Sequence, residues 1–251
     1  MSNIYKALLG AKAVIPYVTC GDPNMAVSEQ LIVALCKAGA DIIELGIPFS
    51  DPVAEDAALI ESNSRALGAG ITSADIFGMI KRVRARVDTP LVLVAYANSV
   101  LSRGIDNFTD SMRDSGIDAL ILKDVPHEES AEFRSACADK GIDYISSVSL
   151  SSIDRAITIA EQAEGFINCY MSPDECDCIA QLSAISRIAS ACDIPCVINA
   201  DCYDSELTSS LMQHAGGIVI PSAIVTIISN CGRDSIAAAA DYIAAARRAI
   251  K

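Results

Sequence analysis

The sequence predicts an α/β protein, a (β/α)8 barrel of the TIM type formed as one domain over residues 1–251. Three observations carry this reading. The length of 251 residues suits one such barrel. Eight short apolar runs alternate with stretches of helical periodicity, the pattern of a parallel sheet. The same junction recurs where a helix gives way to an apolar run: a Gly ends the helix and an acid opens the strand.

The runs lie near residues 13–19, 41–47, 90–96, 119–123, 144–148, 165–170, 195–200 and 217–221. The junction reads Lys37-Ala-Gly-Ala-Asp41 before the second run, Asp114-Ser-Gly-Ile-Asp118 before the fourth and Asp139-Lys-Gly-Ile-Asp143 before the fifth. A weaker copy, His214-Ala-Gly-Gly217, precedes the eighth. Helical stretches fill the gaps, for example 25–37, 73–87, 130–140 and 178–191. The last, 235–250, is rich in Ala and carries Arg247 and Arg248 where a helix C-terminus favours cations. A doubly wound open sheet is the alternative, but no GxGxxG follows the first run, which counts against a dinucleotide fold.

The formal net charge of −13 argues against nucleic acid or an anionic membrane as the main partner. A small anionic substrate needs only local donors and stays allowed. No apolar run is long enough to span a bilayer, and the first twelve residues show no secretory signal. The ten cysteines include the cluster Cys169, Cys176 and Cys178, which has no CxxC pair, and the two histidines, His127 and His214, lie far from it. That spacing points to reduced, buried thiols in a cytoplasmic chain rather than to a metal.

Barrel enzymes place their reacting groups at the C-terminal ends of the strands. There the sequence offers Thr19, Gly21 and Asp22; Glu44; Tyr96 and Asn98; Lys123 and Asp124; Ser147 and Ser149; Asn168 and Tyr170; Asn199 and Asp201; and Ser222. Glu44 is the most informative. In Ile42-Ile-Glu-Leu-Gly46, alternation puts Ile43 and Leu45 on one face and Ile42, Glu44 and Gly46 on the other. The bulky pair suits the helix layer, so Glu44 is expected inside the barrel. Burial would raise its pKa toward the range of a general acid/base; the structural alternative is a carboxylate paired with Lys123 or a hydroxyl. Glu55 and Asp56, in the segment after the second strand, could bring a second carboxylate over the mouth or be a solvated acidic loop. Ser222 opens a short helix whose start could hold an anion, or acts as a plain N-cap.

Several of these segments resemble the alpha subunit of tryptophan synthase. Glu44-Leu-Gly-Ile-Pro-Phe-Ser-Asp-Pro52 is similar to that family's signature. Val18-Thr-Cys-Gly-Asp-Pro23, Tyr96-Ala-Asn98, Asp124-Val-Pro-His-Glu-Glu-Ser130 and Ser222-Ala-Ile-Val225 match in order across nearly the whole chain. The resemblance implies a lyase of tryptophan biosynthesis that cleaves indole-3-glycerol phosphate to indole and glyceraldehyde 3-phosphate. It implies Glu44 as the group that moves protons at the indole C3 and the glycerol hydroxyl. It implies Glu55, where the family usually has Asp, as the carboxylate that polarises the indole nitrogen. Tyr17, Tyr96, Lys123, Asn168 and Asp201 would border the substrate, and Ser222 would bind its phosphate. No cofactor or metal is implied on this chain. Indole would pass to a beta subunit carrying pyridoxal phosphate.

The chain departs from the family at the phosphate end and in the pocket. The loop Met171-Ser-Pro-Asp-Glu-Cys-Asp-Cys178 is acidic and lacks glycine, Asp201 and Pro221 stand where glycines are expected, Asn168 replaces a tyrosine and Lys123 a small residue. Lys123 is expected to neutralise Glu44 or Asp201. Two other functions fit these departures. One is an aldolase-like lyase of an unphosphorylated substrate, with Lys123 forming a Schiff base. The other is a non-catalytic barrel that binds and activates a partner.

Overall fold

The computed structural model describes residues 2–10, 12–52, 55–170, 178–200 and 206–250. Its sheet is built from β1 (Ala13–Thr19), β2 (Ile43–Gly46), β3 (Leu91–Ala95), β4 (Ala119–Leu122), β5 (Asp143–Tyr144), β6 (Ser146–Ser149), β7 (Ile167–Tyr170), β8 (Cys196–Asn199) and β9 (Gly217–Ile220). The order is β5-β4-β3-β2-β1-β9-β8-β7-β6, and the recorded pairings are parallel. The two ends of that list are consecutive in the chain, separated only by Ile145. Ile145 donates its N–H to Leu120 of β4, and Ser146 is then in register with Ile167 of β7. The sheet therefore closes on itself as a barrel. The fifth expected run, 144–148, is the one that divides: it changes pairing partner half-way, as the stagger of a closed barrel requires.

Most strands are buried on both faces, β6 being the exception with Ser149 exposed, so side chains sort by alternation into two clusters. Ile15, Tyr17, Ile42, Val92, Val94, Ile121, Ile145, Phe166, Val197 and Val219 fill the barrel. Val14, Val18, Ile43, Leu45, Leu91, Leu93, Leu120, Ile198 and Ile218 face the helices. Fully burying each such side chain contributes about 1.5–3 kcal/mol. The helices are α1 (Asn3–Ala7), α2 (Met25–Lys37), α3 (Ala57–Gly68), α4 (Ser73–Arg84), α5 (Ala97–Leu101), α6 (Ile105–Ser115), α7 (Ala131–Asp139), α8 (Ile153–Ala160), α9 (Cys178–Ala191), α10 (Glu206–Leu211), α11 (Ser222–Cys231) and α12 (Ser235–Ile250). Helix α1 carries no strand; its Ile4, with the following Leu8, joins the interior cluster at the N-terminal end of the strands.

The recurring junction has a physical basis. Gly116 closes α6 in the left-handed region at φ 83°, where a side chain would be strained. The acid that follows caps the neighbouring strand: Asp118 Oδ2 accepts from Leu91 N at 2.9 Å, and Asp41 Oδ2 accepts from Val14 N at 2.9 Å. Arg84 and Arg247 neutralise these two carboxylates. The weaker fourth copy works differently. Gly217 is needed for close approach to β1, because a Cβ there would stand 3.0 Å from Ala13 O and Cβ.

Candidate active site

The C-terminal mouth of the barrel gathers most of the expected residues. Glu44 is in register with Tyr17 on one side and Val92 on the other, both members of the interior cluster. It is 4% exposed, and its Oε1 is buried without a hydrogen-bond partner. Burial pushes the Glu44 carboxyl up to about 7, and the nearby Lys123 charge only partly offsets this.

Lys123, just past β4, does not pair with Glu44. Its Nζ lies 2.9 Å from Glu55 Oε1, with the two side chains 10% and 2% exposed. The other Glu55 oxygen, Oε2, accepts from Asn63 Nδ2 at 2.6 Å. The direct ion pair is thus with Glu55, because the long Lys side chain reaches across the mouth to the segment after β2, while its charge still acts on Glu44. Asp201, the other expected partner, and loop residues 171–177 lie outside the described residues. Burial works against the charge on Lys123, but Tyr170, Glu55 and Glu44 together hold its ammonium above the ordinary value. A Schiff-base lysine needs the opposite shift.

The aromatic wall has two parts. Tyr17 is buried beneath Lys123, whose Nζ is 5.7 Å from the ring centroid. Burial, and then the charge of Glu55, hold the Tyr17 phenol well above its usual range. Tyr96 stacks on Phe49 with centroids 4.5 Å apart, which ties β3 to the segment after β2. Tyr17 also fixes the requirement for glycine at position 46: a Cβ there would meet Tyr17 Oη at 1.9 Å and Cζ at 2.5 Å. Gly46→Ala is expected to lower stability by about 2 kcal/mol, as overpacking does. Urea unfolding tests this, and an unchanged midpoint would mean that the ring yields freely.

Asn168 is buried on β7; its Oδ1 accepts from Asn199 Nδ2 at 2.6 Å and its Nδ2 reaches Ser147 Oγ at 3.5 Å. Tyr170, raised by burial and opposed by Lys123, sits within the electrostatic reach of Lys123 and Glu44. A cavity of about 350 Å³ opens beside Lys123 and Tyr170 and is also lined by Asp124, His127 and Arg155. Asp124 itself caps α5, accepting from Ala97 N at 2.8 Å. Asn98 lies exposed in α5.

At the opposite side of the mouth, Ser222 begins α11 as expected, but its hydroxyl donates to Asp56 Oδ2. The other oxygen of Asp56 accepts from Leu59 N at 2.9 Å and caps α3. The two acids after β2 therefore differ: Glu55 is tied down by Lys123 just past β4 with its side chain 2% exposed, whereas Asp56 stays exposed while bonding Ser222 of α11.

Ser62, Asn63 and Arg65, absent from the sequence-based expectations, complete the site. Asn63 and Ser62 lie on the buried face of α3 with Leu59 and Ala66. That spacing of i, i+3, i+4 and i+7 is an apolar helix face with two polar members, a signal readable in the sequence. Asp22, fully buried, accepts from Arg65 Nε at 2.8 Å, Arg65 Nη2 at 2.7 Å and Ser62 Oγ at 2.6 Å. The loop after β1 thereby anchors α3, the helix that carries Asn63.

Comparison with known proteins agrees with this geometry. A sequence model of the family "Tryptophan synthase alpha chain" matches residues 6–251. The tryptophan synthase alpha chain of Geobacter sulfurreducens is 36% identical over 252 residues, covering 95% of this chain and 93% of that protein. The one from Burkholderia pseudomallei is 34% identical, covering 100% of this chain and 96% of the relative. Among solved structures, tryptophan synthase subunit alpha of Legionella pneumophila superposes with a TM-score of 0.90 at 27% identity, covering 100% and 98% of the two chains. A chain of the tryptophan synthase complex of Pyrococcus furiosus superposes with a TM-score of 0.85 at 28% identity, covering 96% and 98%. No helix among the described residues is long and apolar enough to cross a membrane. With the signature residues gathered at one barrel mouth and the family matched over nearly its full length, the chain belongs to the tryptophan synthase alpha chain family.

Proposed function

We propose that this chain cleaves indole-3-glycerol phosphate to indole and glyceraldehyde 3-phosphate, with Glu44 as the proton-transferring group. The observation that carries the assignment to Glu44 is its burial at the mouth with a carboxyl raised to about 7. At neutral pH such a group exists in both forms and can give a proton and take one back. In the first step protonated Glu44 delivers its proton to the indole C3, and positive charge develops on the ring nitrogen. Glu55, held at the mouth as a carboxylate, accepts a hydrogen bond from that N–H and stabilises the charge. In the second step the Glu44 carboxylate removes the proton of the hydroxyl on the carbon attached to C3. The bond between that carbon and C3 breaks, its electrons return to the ring, and the carbon becomes the aldehyde. One proton enters and one leaves, so Glu44 ends in its starting form.

Tyr17 and Tyr96 would flank the indole, and Asn168 and Lys123 would border it. Ser222 and the first N–H groups of α11 would receive the phosphate once Asp56 yields the hydroxyl. The indole would pass to a PLP-dependent beta subunit; related chains occur in the tryptophan synthase a2b2 complex of Pyrococcus furiosus. A cytoplasmic site of action accords with the free thiols of Cys20, Cys36, Cys137, Cys169, Cys192, Cys196 and Cys231.

The pH profile tests the role of Glu44. The first step needs the acid form, and a carboxyl raised to about 7 loses that form as pH rises through it. The value of kcat/KM for indole release is therefore expected to fall above about pH 7 along a single ionisation. A profile flat from pH 6 to 9 would remove Glu44 from the role of acid.

A second reading has one observation behind it. The hydroxyl of Ser222 is already engaged by the Asp56 carboxylate, which favours a substrate without phosphate at that end. Running the same assay with unphosphorylated indole-3-glycerol separates the two: the reading is upheld only if the unphosphorylated compound is cleaved with the higher kcat/KM.

A further inference from the structure

Glu55 is the reacting carboxylate that the fold has most difficulty placing. It precedes α3 in a connecting segment, and its side chain has one more rotor than the aspartate usual in the family. Yet both of its oxygens are held: Oε1 by Lys123 Nζ at 2.9 Å and Oε2 by Asn63 Nδ2 at 2.6 Å. The two donors come from different sides, Asn63 eight positions along the chain on α3 and Lys123 sixty-eight positions away just past β4. Asn63 is buried, and among the described residues its Oδ1 has no partner and Glu55 is the one recorded partner of its side-chain amide.

We propose that Lys123 and Asn63 are positioning residues that act on the reaction through Glu55, fixing its carboxylate against the ring N–H of the substrate. The proposal rests on the reading of Glu55 given above and adds to it. Lengthening Asp to Glu displaces the carboxylate by over an angstrom on the order of one bond, enough to spoil a near-attack geometry. Lys123, where the family has a small residue, takes up one oxygen of the displaced group. The length of Glu55 and the reach of Lys123 thus form one unit, each answering the other. A carboxylate has about four lone-pair sites, so these two bonds leave acceptors for the substrate.

The test is a double-mutant cycle with Lys123→Ala, Glu55→Asp and the double variant, with Asn63→Ala alongside. For each, kcat and KM for indole release, affinity for free indole, and the thermal midpoint are measured. Each single change in the cycle is expected to lower kcat by about 30-fold. The double variant, in which the shorter carboxylate no longer needs the lysine, is expected to recover to within about fivefold of wild type. Asn63→Ala is expected to lower kcat by about tenfold in a protein that still folds. A residue that served folding alone would move the midpoint and leave kcat of the folded fraction unchanged, and the double variant would not recover. Losses in the double variant equal to the product of the single losses overturn the proposal. So do single variants within about twofold of wild type. If the wild-type chain releases no indole, the reading of the reaction fails by itself. The same cycle scored in indole affinity then decides the clamp, coupled effects upholding it and additive ones overturning it.

Discussion

Glu44→Gln is expected to lower kcat for indole release by about 10³-fold, within the range that general acid–base catalysis supplies. Glutamine keeps the size and the hydrogen-bonding ability of the side chain but carries no transferable proton, so KM should stay close to wild type. The same change has an opposite effect on stability. The Glu44 carboxyl is raised from 4.5 to about 7 by burial. The folded state therefore binds the proton more tightly than the unfolded state, and stability declines as pH rises from 4.5 through about 7. A shift of that size corresponds to about 3 kcal/mol above pH 7. Glu44→Gln should match the wild type near pH 4 and exceed it by about that amount at pH 8. Urea unfolding at the two pH values measures this. A variant that is equally stable relative to wild type at both would mean that Glu44 is not buried as an acid. A variant more stable and less active is what a group kept for chemistry against the preference of the fold produces.

Asp22→Ala is expected to cost about 2 kcal/mol of stability, below the range for a fully buried ion pair because the surviving Arg65 is partly solvated. Asp22 is fully buried while Arg65 is about one-third exposed, with side-chain values of 0% and 32%. The loss therefore falls mainly on Ser62 Oγ, which is fully buried, while water re-solvates much of the freed guanidinium. The effect should reach the site as well. Ser62 and Arg65 tie α3 to the loop after β1, and Asn63, on the same helix, holds Glu55. A freed helix would let Glu55 drift, with kcat falling by about 10-fold or more. Denaturation and steady-state kinetics on the same preparation check both parts. An unchanged unfolding midpoint would show that the pair is ornamental; unchanged kcat with a lowered midpoint would confine it to folding.

The strands were legible because a strand buried on both faces must be apolar, and this chain places an acid and a glycine cap before several of them. Alternation in Ile42–Gly46 was enough to turn Glu44 toward the interior, since Ile43 and Leu45 could only face the helices. The division of the fifth strand at Ile145 left no mark, because the change of partner depends on barrel stagger and not on side-chain type. The pairing of Lys123 was not legible either. Local spacing shows which residues share a mouth but not which oxygen a four-carbon side chain will reach across it. Asp56 shows the same limit: its place next to Glu55 suggested a solvated pair, and exposed as it is, one oxygen caps α3 and the other takes Ser222. Asn63 could have been found, because a polar residue on the buried stripe Leu59, Ser62, Asn63, Ala66 demands a partner.

The central claim is that a carboxyl buried inside the barrel cleaves the bond between indole and its glycerol phosphate. The most direct measurement is product release from indole-3-glycerol phosphate by the purified chain, alone and with a tryptophan synthase beta subunit, with Glu44→Gln as the control. Indole and glyceraldehyde 3-phosphate are expected in equal amounts from the wild-type chain, with a loss of both in the variant. No indole from the wild type under either condition, or equal release by the variant, would contradict it.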